Sequence, residues 1–286
     1  MNRIDELFTR KQESVLSIYF TAGYPELNDT THLISGLEKA GADLIEIGFP
    51  FSDPVADGPV IQASSHQALE NGMNLDILFE QLLSIKATSS IPKIMMGYFN
   101  TVYQYGVDRF ISKCATSGVD GVIIPDLPPE VYEKEYRQSF EAAGIHTIFL
   151  VAPQTTPERA EYLQALTKGF LYQLSMSGTT GNPVVGEAQM VVGEDPSVIP
   201  QTNGMPVMIG FGIHDHATFE MACRHANGAI IGTAFIRHLA TLEEDGRQET
   251  RDIRQKTLDI RQETGDRGRE IGEICKSFID NIKGSK

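Results

Sequence analysis

Cysteines, basic residues and long apolar runs are all scarce in this chain of 286 residues. Its three cysteines, Cys114, Cys223 and Cys275, are widely spaced and form no CxxC or Cys/His ligand pattern, which fits free thiols in a reducing compartment. No run approaches the roughly 20 apolar residues of a membrane span, and the first residues contain no apolar signal core. We therefore expect a soluble cytoplasmic protein.

The shortage of basic residues also limits the possible partners. Lys and Arg number 24 against 38 Asp and Glu, which gives a net charge of -14. Such a chain is not expected to bind nucleic acid in general, because attraction to a phosphate backbone needs basic surface. One phosphorylated small substrate remains compatible with the acidity, since local backbone amides can hold a phosphate. With 41% hydrophobic residues, the chain can form one large core.

Short apolar runs alternate with amphipathic segments along most of the chain. Because most runs are continuously apolar, they are typical of parallel strands covered on both faces. Three amphipathic segments end in a glycine directly before a strand, at Gly41, Gly118 and Gly144, and Asn227-Gly228 is predicted to end a fourth. The predicted strands are the eight segments 15–21, 43–47, 92–96, 119–124, 145–151, 169–174, 206–209 and 228–231.

Eight successive βα units predict an α/β fold of the (β/α)₈ TIM-barrel type. We expect one domain over residues 1–286, with an extra N-terminal helix and an extended C-terminal helical segment. A doubly wound sheet is the alternative, although it rarely needs eight similar units. Residues 178–205 interrupt the alternation of strands and helices, because they are rich in Gly and Pro and contain no clear amphipathic helix. A loop of that length is usually functional or disordered.

The C-terminal segment, about 247–275, carries an unusual heptad repeat: RQETRDI, RQKTLDI and RQETGDR follow one another over residues 247–267. Thr and Ile at repeated positions, continued by Ile271, Ile274 and Phe278, fall on one helical stripe. This pattern predicts a charged outer helix with a weak apolar seam. A partner-binding coiled coil is the alternative, but threonine fills half of the seam and Gly268 and Gly272 interrupt the helix.

The stretch LIEIGFPFSDPVADGP, residues 44–59, places three carboxylates at and after the second strand. If Glu46 points into a barrel, its removal from water raises its pKa towards neutrality, where a carboxyl can both give and take a proton. An outward Glu46 paired with a surface cation is the alternative. Asp53 and Asp57 are either turn-forming residues or a second carboxylate that accepts a substrate N–H. No further ligand follows at a suitable spacing, so no metal site is predicted.

Three glycine-bearing turns follow the last strands: SGTTG (177–181), IGFGI (209–213) and IGTAF (231–235). Glycine lets backbone amides approach an anion, and loops seven and eight of such barrels commonly bind phosphate. Gly232 and Thr233 also open a predicted helix, whose N-terminus favours phosphate. Tight turns without a ligand are the alternative. His214 and His216 are predicted at the surface, with Asp215 as an N-cap.

Four segments closely resemble the tryptophan synthase α-subunit family: YFTAGYP (19–25), AGADLIEIGFPFSDPVADGPVIQ (40–62), GFGI (210–213) and GTAFI (232–236). The resemblance implies a (β/α)₈ barrel that cleaves indole-3-glycerol phosphate to indole and glyceraldehyde 3-phosphate by a retro-aldol reaction. It implies no cofactor in this subunit. It also implies an α₂β₂ complex, in which a β subunit with pyridoxal phosphate receives the indole.

The same resemblance implies a role for each site residue. Glu46 is the general acid/base, Asp57 holds the indole N–H, and Asp53 and Pro54 belong to the loop that faces the β subunit. The substrate-lining positions are Tyr19, Thr21, Tyr172 and Thr180. The phosphate-binding positions are Gly181, Gly210, Gly212, Gly232 and Thr233.

The sequence departs from the family pattern in several places, among them Thr233 in GTA, where the family more often has GSA. Thr179 occupies a position in SMSGTTG that is usually valine, and the repeat enlarges the tail. A non-catalytic activating partner with an impaired lid and a stand-alone lyase are therefore alternatives to the lyase subunit.

Overall fold

A computed structural model describes residues 1–174, 204–210, 212–241 and 260–284, with the side chains of the last segment from residue 266. Its strands are all parallel and form one sheet in the order β5-β4-β3-β2-β1-β9-β8-β7-β6. They are β1 (Val15–Thr21), β2 (Leu44–Gly48), β3 (Lys93–Met96), β4 (Gly121–Ile123), β5 (His146–Thr147), β6 (Leu150–Val151), β7 (Leu171–Leu174), β8 (Val207–Gly210) and β9 (Gly228–Ile231).

The segment that contains β5 and β6 closes this sheet into a barrel. The two strands are separated only by Ile148 and Phe149, so they are halves of one predicted strand. The amide of Ile148 donates to the carbonyl oxygen of Val122 at 3.0 Å on the β4 side, and the carbonyl oxygen of Phe149 accepts from Tyr172 of β7 at 3.2 Å. The predicted eight-stranded barrel is therefore confirmed, with an interruption in its fifth strand.

Helices pack around the sheet, and a large apolar core lies between the two layers. They are α1 (Arg3–Arg10), α2 (Asp29–Ala40), α3 (Pro59–Glu70), α4 (Leu75–Ile85), α5 (Phe99–Tyr105), α6 (Val107–Ser117), α7 (Pro129–Val131), α8 (Arg137–Ala142), α9 (Pro157–Leu166), α10 (His216–Cys223), α11 (233–241) and α12 (Ile260–Lys283). A π-helical turn, Tyr132–Tyr136, joins α7 to α8. None of the helices in the described ranges has both the length and the apolar character that a membrane crossing requires.

Glycines end three of these helices as predicted. Gly41 after α2, Gly118 after α6 and Gly144 after α8 have φ values of 96°, 79° and 73°, in the left-handed region. The prediction for Asn227-Gly228 is wrong, because α10 ends at Cys223. Gly228 already belongs to β9, where it pairs with residues of β1 and β8.

The lower half of the barrel, at the N-terminal ends of the strands, is filled by apolar side chains. The side chain of Asn2 caps α1 by accepting from the amide of Ile4 at 2.9 Å. The helix then buries Ile4, Leu7 and Phe8 in the interior core, together with strand residues such as Val15, Leu44, Ile94, Ile123, Phe170 and Met208. The predicted N-terminal helix is thus present, and it covers the bottom of the barrel.

The outer helix α12 packs along α2. Its buried residues are Ile271, Cys275, Phe278, Ile279 and Ile282. Arg267, the last residue of the third repeat, donates to both carboxylate oxygens of Asp29 at 2.8 and 3.3 Å. An outer helix was predicted, and α12 confirms it for the part of the tail that is described; residues 242–259, which hold most of the first two repeats, lie outside the described residues.

We expect Arg267→Ala to lower the free energy of unfolding by about 2–4 kcal/mol, because it leaves the carboxylate of Asp29, whose side chain is 2% exposed, without its bidentate partner. Arg269→Ala is the matched control, since Arg269 and Glu273 form an ion pair with side chains 79% and 70% exposed, and about 0.5 kcal/mol or less is expected. Urea unfolding measures both variants. Equal losses would show that burial of the Arg267 ion pair contributes nothing to stability.

Candidate active site

Glu46 lies in the middle of β2, and its side chain is fully buried. In the parallel register it stands opposite Tyr19 of β1 and Ile94 of β3. Residues in register share a face of the sheet, and Ile94 belongs to the core inside the barrel. Glu46 therefore points into the barrel rather than outward to a surface cation.

The two carboxyl oxygens of Glu46 have different surroundings. Oε1 accepts a hydrogen bond from the hydroxyl of Ser17 at 3.1 Å, and both residues are completely buried. Oε2 is buried without a hydrogen-bond partner among the described residues. Burial raises the pKa of Glu46 from 4.5 to about 8, and the bond from Ser17 opposes that shift. A carboxyl with this pKa holds a proton at neutral pH and can release it.

Two tyrosines lie beside Glu46. Burial raises the pKa of both Tyr19 and Tyr172, and the nearby carboxyl of Glu46 raises both further. Their phenols therefore stay neutral at physiological pH. Each ring also needs a glycine at a neighbouring strand end. A Cβ at Gly48 would lie 2.1 Å from the Tyr19 hydroxyl, and one at Gly210 would lie 2.2 Å from the Tyr172 hydroxyl.

Asp57 reaches the same end of the barrel from the loop between β2 and α3. It is half-buried, and burial raises its pKa while a hydrogen bond with Tyr98 lowers it. Tyr98 also accepts from the amide of Ala56 at 2.9 Å. The charge of Asp57 contributes to the raised pKa of Tyr19, so the loop brings a second carboxylate close to the Glu46 group.

The other residues predicted on this side differ in exposure. Thr21 is buried, and its hydroxyl shares a hydrogen bond of 2.7 Å with Ser64 of α3. Asp53 is exposed and accepts from the hydroxyl of Ser52, whereas Pro54 is half-buried. Val55 beside them is 84% exposed. The tip of this loop therefore faces outward, away from Glu46.

The predicted phosphate-binding glycines lie at the ends of neighbouring strands. Gly210 ends β8, and Gly212 follows it in an exposed turn with a φ of 77°. Gly232 follows β9, Thr233 begins α11, and the amide of Ile236 donates to the carbonyl oxygen of Gly232 at 3.0 Å, which closes the first helical turn. The first amides of a helix lack acceptors within it and can bind an anion. Thr180 and Gly181 lie outside the described residues.

Two contacts of the site were not predicted. Ser17 interrupts the apolar run VLSIYFT, and that interruption was the one signal in the sequence. Tyr98 follows the end of β3, where barrel loops gather, but nothing in its spacing indicates a bond to Asp57. Asp215 caps α10 as predicted, and His214 is exposed as predicted. His216, also predicted at the surface, is half-buried, with Nδ1 2.8 Å from the carbonyl oxygen of Ile282. Over the described ranges, no group of three or more His, Cys, Asp or Glu could hold a metal ion.

The model of one protein family, "Tryptophan synthase alpha chain", matches residues 6–264. The Flavobacterium johnsoniae tryptophan synthase alpha chain is 51% identical over 241 residues, which are 84% of this chain and 94% of that protein. The Bacteroides thetaiotaomicron protein of the same name is 47% identical over 250 residues, which are 86% and 94% of the two chains.

Solved structures agree with the sequence comparisons. Tryptophan synthase subunit alpha from Legionella pneumophila superposes with a TM-score of 0.79 at 30% identity and covers 99% of each chain. A chain of the tryptophan synthase complex from Pyrococcus furiosus gives 0.72 at 29% identity, covering 96% of this chain and 99% of that one. With a family model that spans nearly the whole chain and relatives near 50% identity, the chain belongs to the tryptophan synthase alpha chain family.

Proposed function

We propose that this chain is a lyase subunit that cleaves indole-3-glycerol phosphate to indole and glyceraldehyde 3-phosphate during tryptophan biosynthesis. The observation that carries the proposal is the buried carboxyl of Glu46, whose pKa of about 8 suits a group that must both give and take a proton. Family membership supports the choice of substrate.

In the first step, the protonated carboxyl of Glu46 gives its proton to C3 of the indole ring. The ring becomes electron-poor, and its N–H becomes a stronger hydrogen-bond donor. Asp57 accepts that hydrogen bond and stabilises the positive charge on the ring. Its raised pKa, caused mainly by burial, is consistent with a carboxylate in a partly water-excluded site.

In the second step, the ionised Glu46 takes the proton of the glycerol hydroxyl next to the ring. The C–C bond breaks, its electron pair returns to the ring, and the hydroxyl carbon becomes the aldehyde. Glu46 regains the proton that it lost, so protons and electrons balance. Neither step uses a metal or an organic cofactor in this subunit. Neutral Tyr19 and Tyr172, beside Glu46, line the reacting end.

We assign the phosphate of the substrate to the backbone amides at Gly210, Gly212, Gly232 and Thr233. The turn after β8 and the first turn of α11 lie at the ends of adjacent strands, and this arrangement supports the assignment. Gly181 stays a prediction for the same phosphate site, and Thr180 stays a prediction for substrate binding. Thr21 stays a prediction for the substrate wall beside α3.

We also propose that the subunit works in an α₂β₂ complex and passes indole to a β subunit that holds pyridoxal phosphate. The outward loop tip with Asp53 and Pro54 supports a partner contact there. The Pyrococcus furiosus structure is described as a tryptophan synthase complex. We further propose one domain over residues 1–286, supported by the pairing of β1 with β9 and by the packing of α12 along α2.

Purified protein incubated with indole-3-glycerol phosphate, with and without a β subunit, tests the proposal by scoring indole and triose phosphate. Product in the presence of the partner is expected, with faster turnover than without it. No product under either condition contradicts the lyase function and would leave the non-catalytic activating partner. Turnover that the β subunit does not change would indicate the stand-alone lyase; no observation favours either alternative.

Replacement of the proposed acid/base tests the mechanism. Glu46→Gln is expected to lower turnover by at least about 100-fold while substrate binding is largely kept, because the amide fills the same space but cannot exchange the proton. Glu70→Gln, which changes an exposed carboxylate that pairs with His66, is the control and should keep normal turnover. Near-normal turnover of Glu46→Gln would remove Glu46 from the mechanism.

The same variant is expected to change how stability depends on pH. The unfolded chain releases the Glu46 proton near pH 4.5, whereas the folded chain keeps it up to about pH 8. Between these values the folded state binds the extra proton, so this group's contribution to the free energy of unfolding falls as pH rises. Between pH 5 and pH 8.5, the free energy of unfolding of Glu46→Gln should therefore rise relative to that of wild type, by on the order of 4 kcal/mol. Urea unfolding of both proteins across this range measures it, and a constant difference would contradict the raised pKa.

A further inference from the structure

Ser17 occupies an unusual position for a polar residue. It lies on β1 between Leu16 and Ile18, is fully buried, and stands in register with Leu44, whose side chain belongs to the core inside the barrel. A hydroxyl in such surroundings needs a hydrogen-bond partner. Among the described residues its partner is Oε1 of Glu46, at 3.1 Å.

We propose that Ser17 is a positioning residue that makes Oε2 of Glu46 the oxygen through which the proton is exchanged with the substrate. The proposal rests on the proposed lyase function and adds a residue to it. Ser17 does not touch the substrate in this account; it acts through the carboxyl of Glu46.

The direction of the Ser17 hydrogen bond decides which oxygen carries the proton. A protonated carboxyl has one oxygen with a hydrogen and one carbonyl oxygen, and the carbonyl oxygen is the better acceptor. Ser17 therefore donates to Oε1, and the carboxyl proton resides on Oε2, which is buried and has no partner in the described part of the chain.

The same bond serves the second half of the reaction. After Glu46 loses its proton, Ser17 donates to a charged oxygen, which is a stronger bond than one to a neutral carboxyl. Ser17 therefore favours the ionised form and opposes the effect of burial on the pKa. Without it, a carboxyl in an apolar barrel would hold its proton more tightly and would release it less readily to the substrate.

Other groups that face Glu46 do not supply this bond. Burial raises the pKa of Tyr19 of β1 and Tyr172 of β7, the carboxyl of Glu46 raises both further, and the two phenols therefore stay neutral. Ile94 of β3 is apolar. Asp57, in the loop after β2, bonds to Tyr98. Ser17 is thus the donor that the described elements direct at this carboxyl.

The alkaline side of the pH profile tests this role. Glu46 must begin the reaction protonated, so kcat/KM falls as pH rises through its pKa in the free protein. Ser17→Ala removes a donor that favours the ionised form, so the fall should move to higher pH by about one unit. At neutral pH, kcat should drop about tenfold with little change in KM, because the proton is no longer confined to Oε2.

Two variants distinguish this role from a general loss of stability. Ser17→Thr keeps the hydroxyl and should restore the wild-type position of the alkaline fall. Ser117→Ala removes another buried serine hydroxyl, one that donates to the carbonyl oxygen of Lys113 on α6, far along the chain from Glu46. It should lose stability without moving the pH profile. An unmoved profile in Ser17→Ala, or an equal movement in Ser117→Ala, overturns the proposal.

An infrared titration keeps the test independent of catalysis. The C=O stretch of protonated Glu46, identified by its loss in Glu46→Gln, can be followed against pH in the protein without substrate. We expect its midpoint to rise in Ser17→Ala and to return in Ser17→Thr. If wild type cleaves no substrate but the midpoint moves as expected, the lyase function fails and the Ser17–Glu46 interaction stands. If the midpoint does not move, the role of Ser17 fails whatever the activity.

Discussion

Burial of one carboxyl inside the barrel is the constraint on which the site depends. Glu46 is surrounded by strands on all sides, and its removal from water raises its pKa to about 8. An exposed glutamate would be ionised at neutral pH and could not serve as an acid. The closed sheet, with its ladder running through Ile148 and Phe149, is what keeps water from this position. The proposed chemistry therefore requires the complete barrel rather than one loop.

The interior of the barrel is divided along its axis. Below Glu46, α1 inserts Ile4, Leu7 and Phe8 into an apolar core. Around Glu46, the interior carries polar groups: the Ser17 hydroxyl and two neutral tyrosines. Hydrophobic burial in the apolar half offsets the free-energy cost of a buried carboxyl, and Ser17 in the polar half holds one oxygen of that carboxyl. In the proposed mechanism, stability and proton transfer thus depend on different layers of the same eight strands.

Sequence patterns predicted the βα units because each unit depends on the residue types within its own segment. Apolar runs marked all eight strands, and left-handed glycines such as Gly41 ended helices where expected. The contacts within the site depend instead on register between distant segments. Ser17 meets Glu46 across 29 positions because β1 and β2 are in parallel register, and Tyr98 meets Asp57 because two loops converge. Neither pairing has a spacing signature, so neither could be predicted from residue types alone.

The glycines at the strand ends were predicted to bind phosphate, but other contacts can also explain why glycine occupies some of these positions. Gly210 was predicted to bind phosphate, yet the Tyr172 hydroxyl leaves no room for a side chain there, whether or not an anion binds. Its presence is therefore weak support for a phosphate site. Gly212 is exposed in a left-handed turn, and Thr233 begins α11 with amides that lack helical acceptors. The left-handed φ of Gly212 likewise explains that glycine without an anion, so the first amides of α11 carry the phosphate assignment.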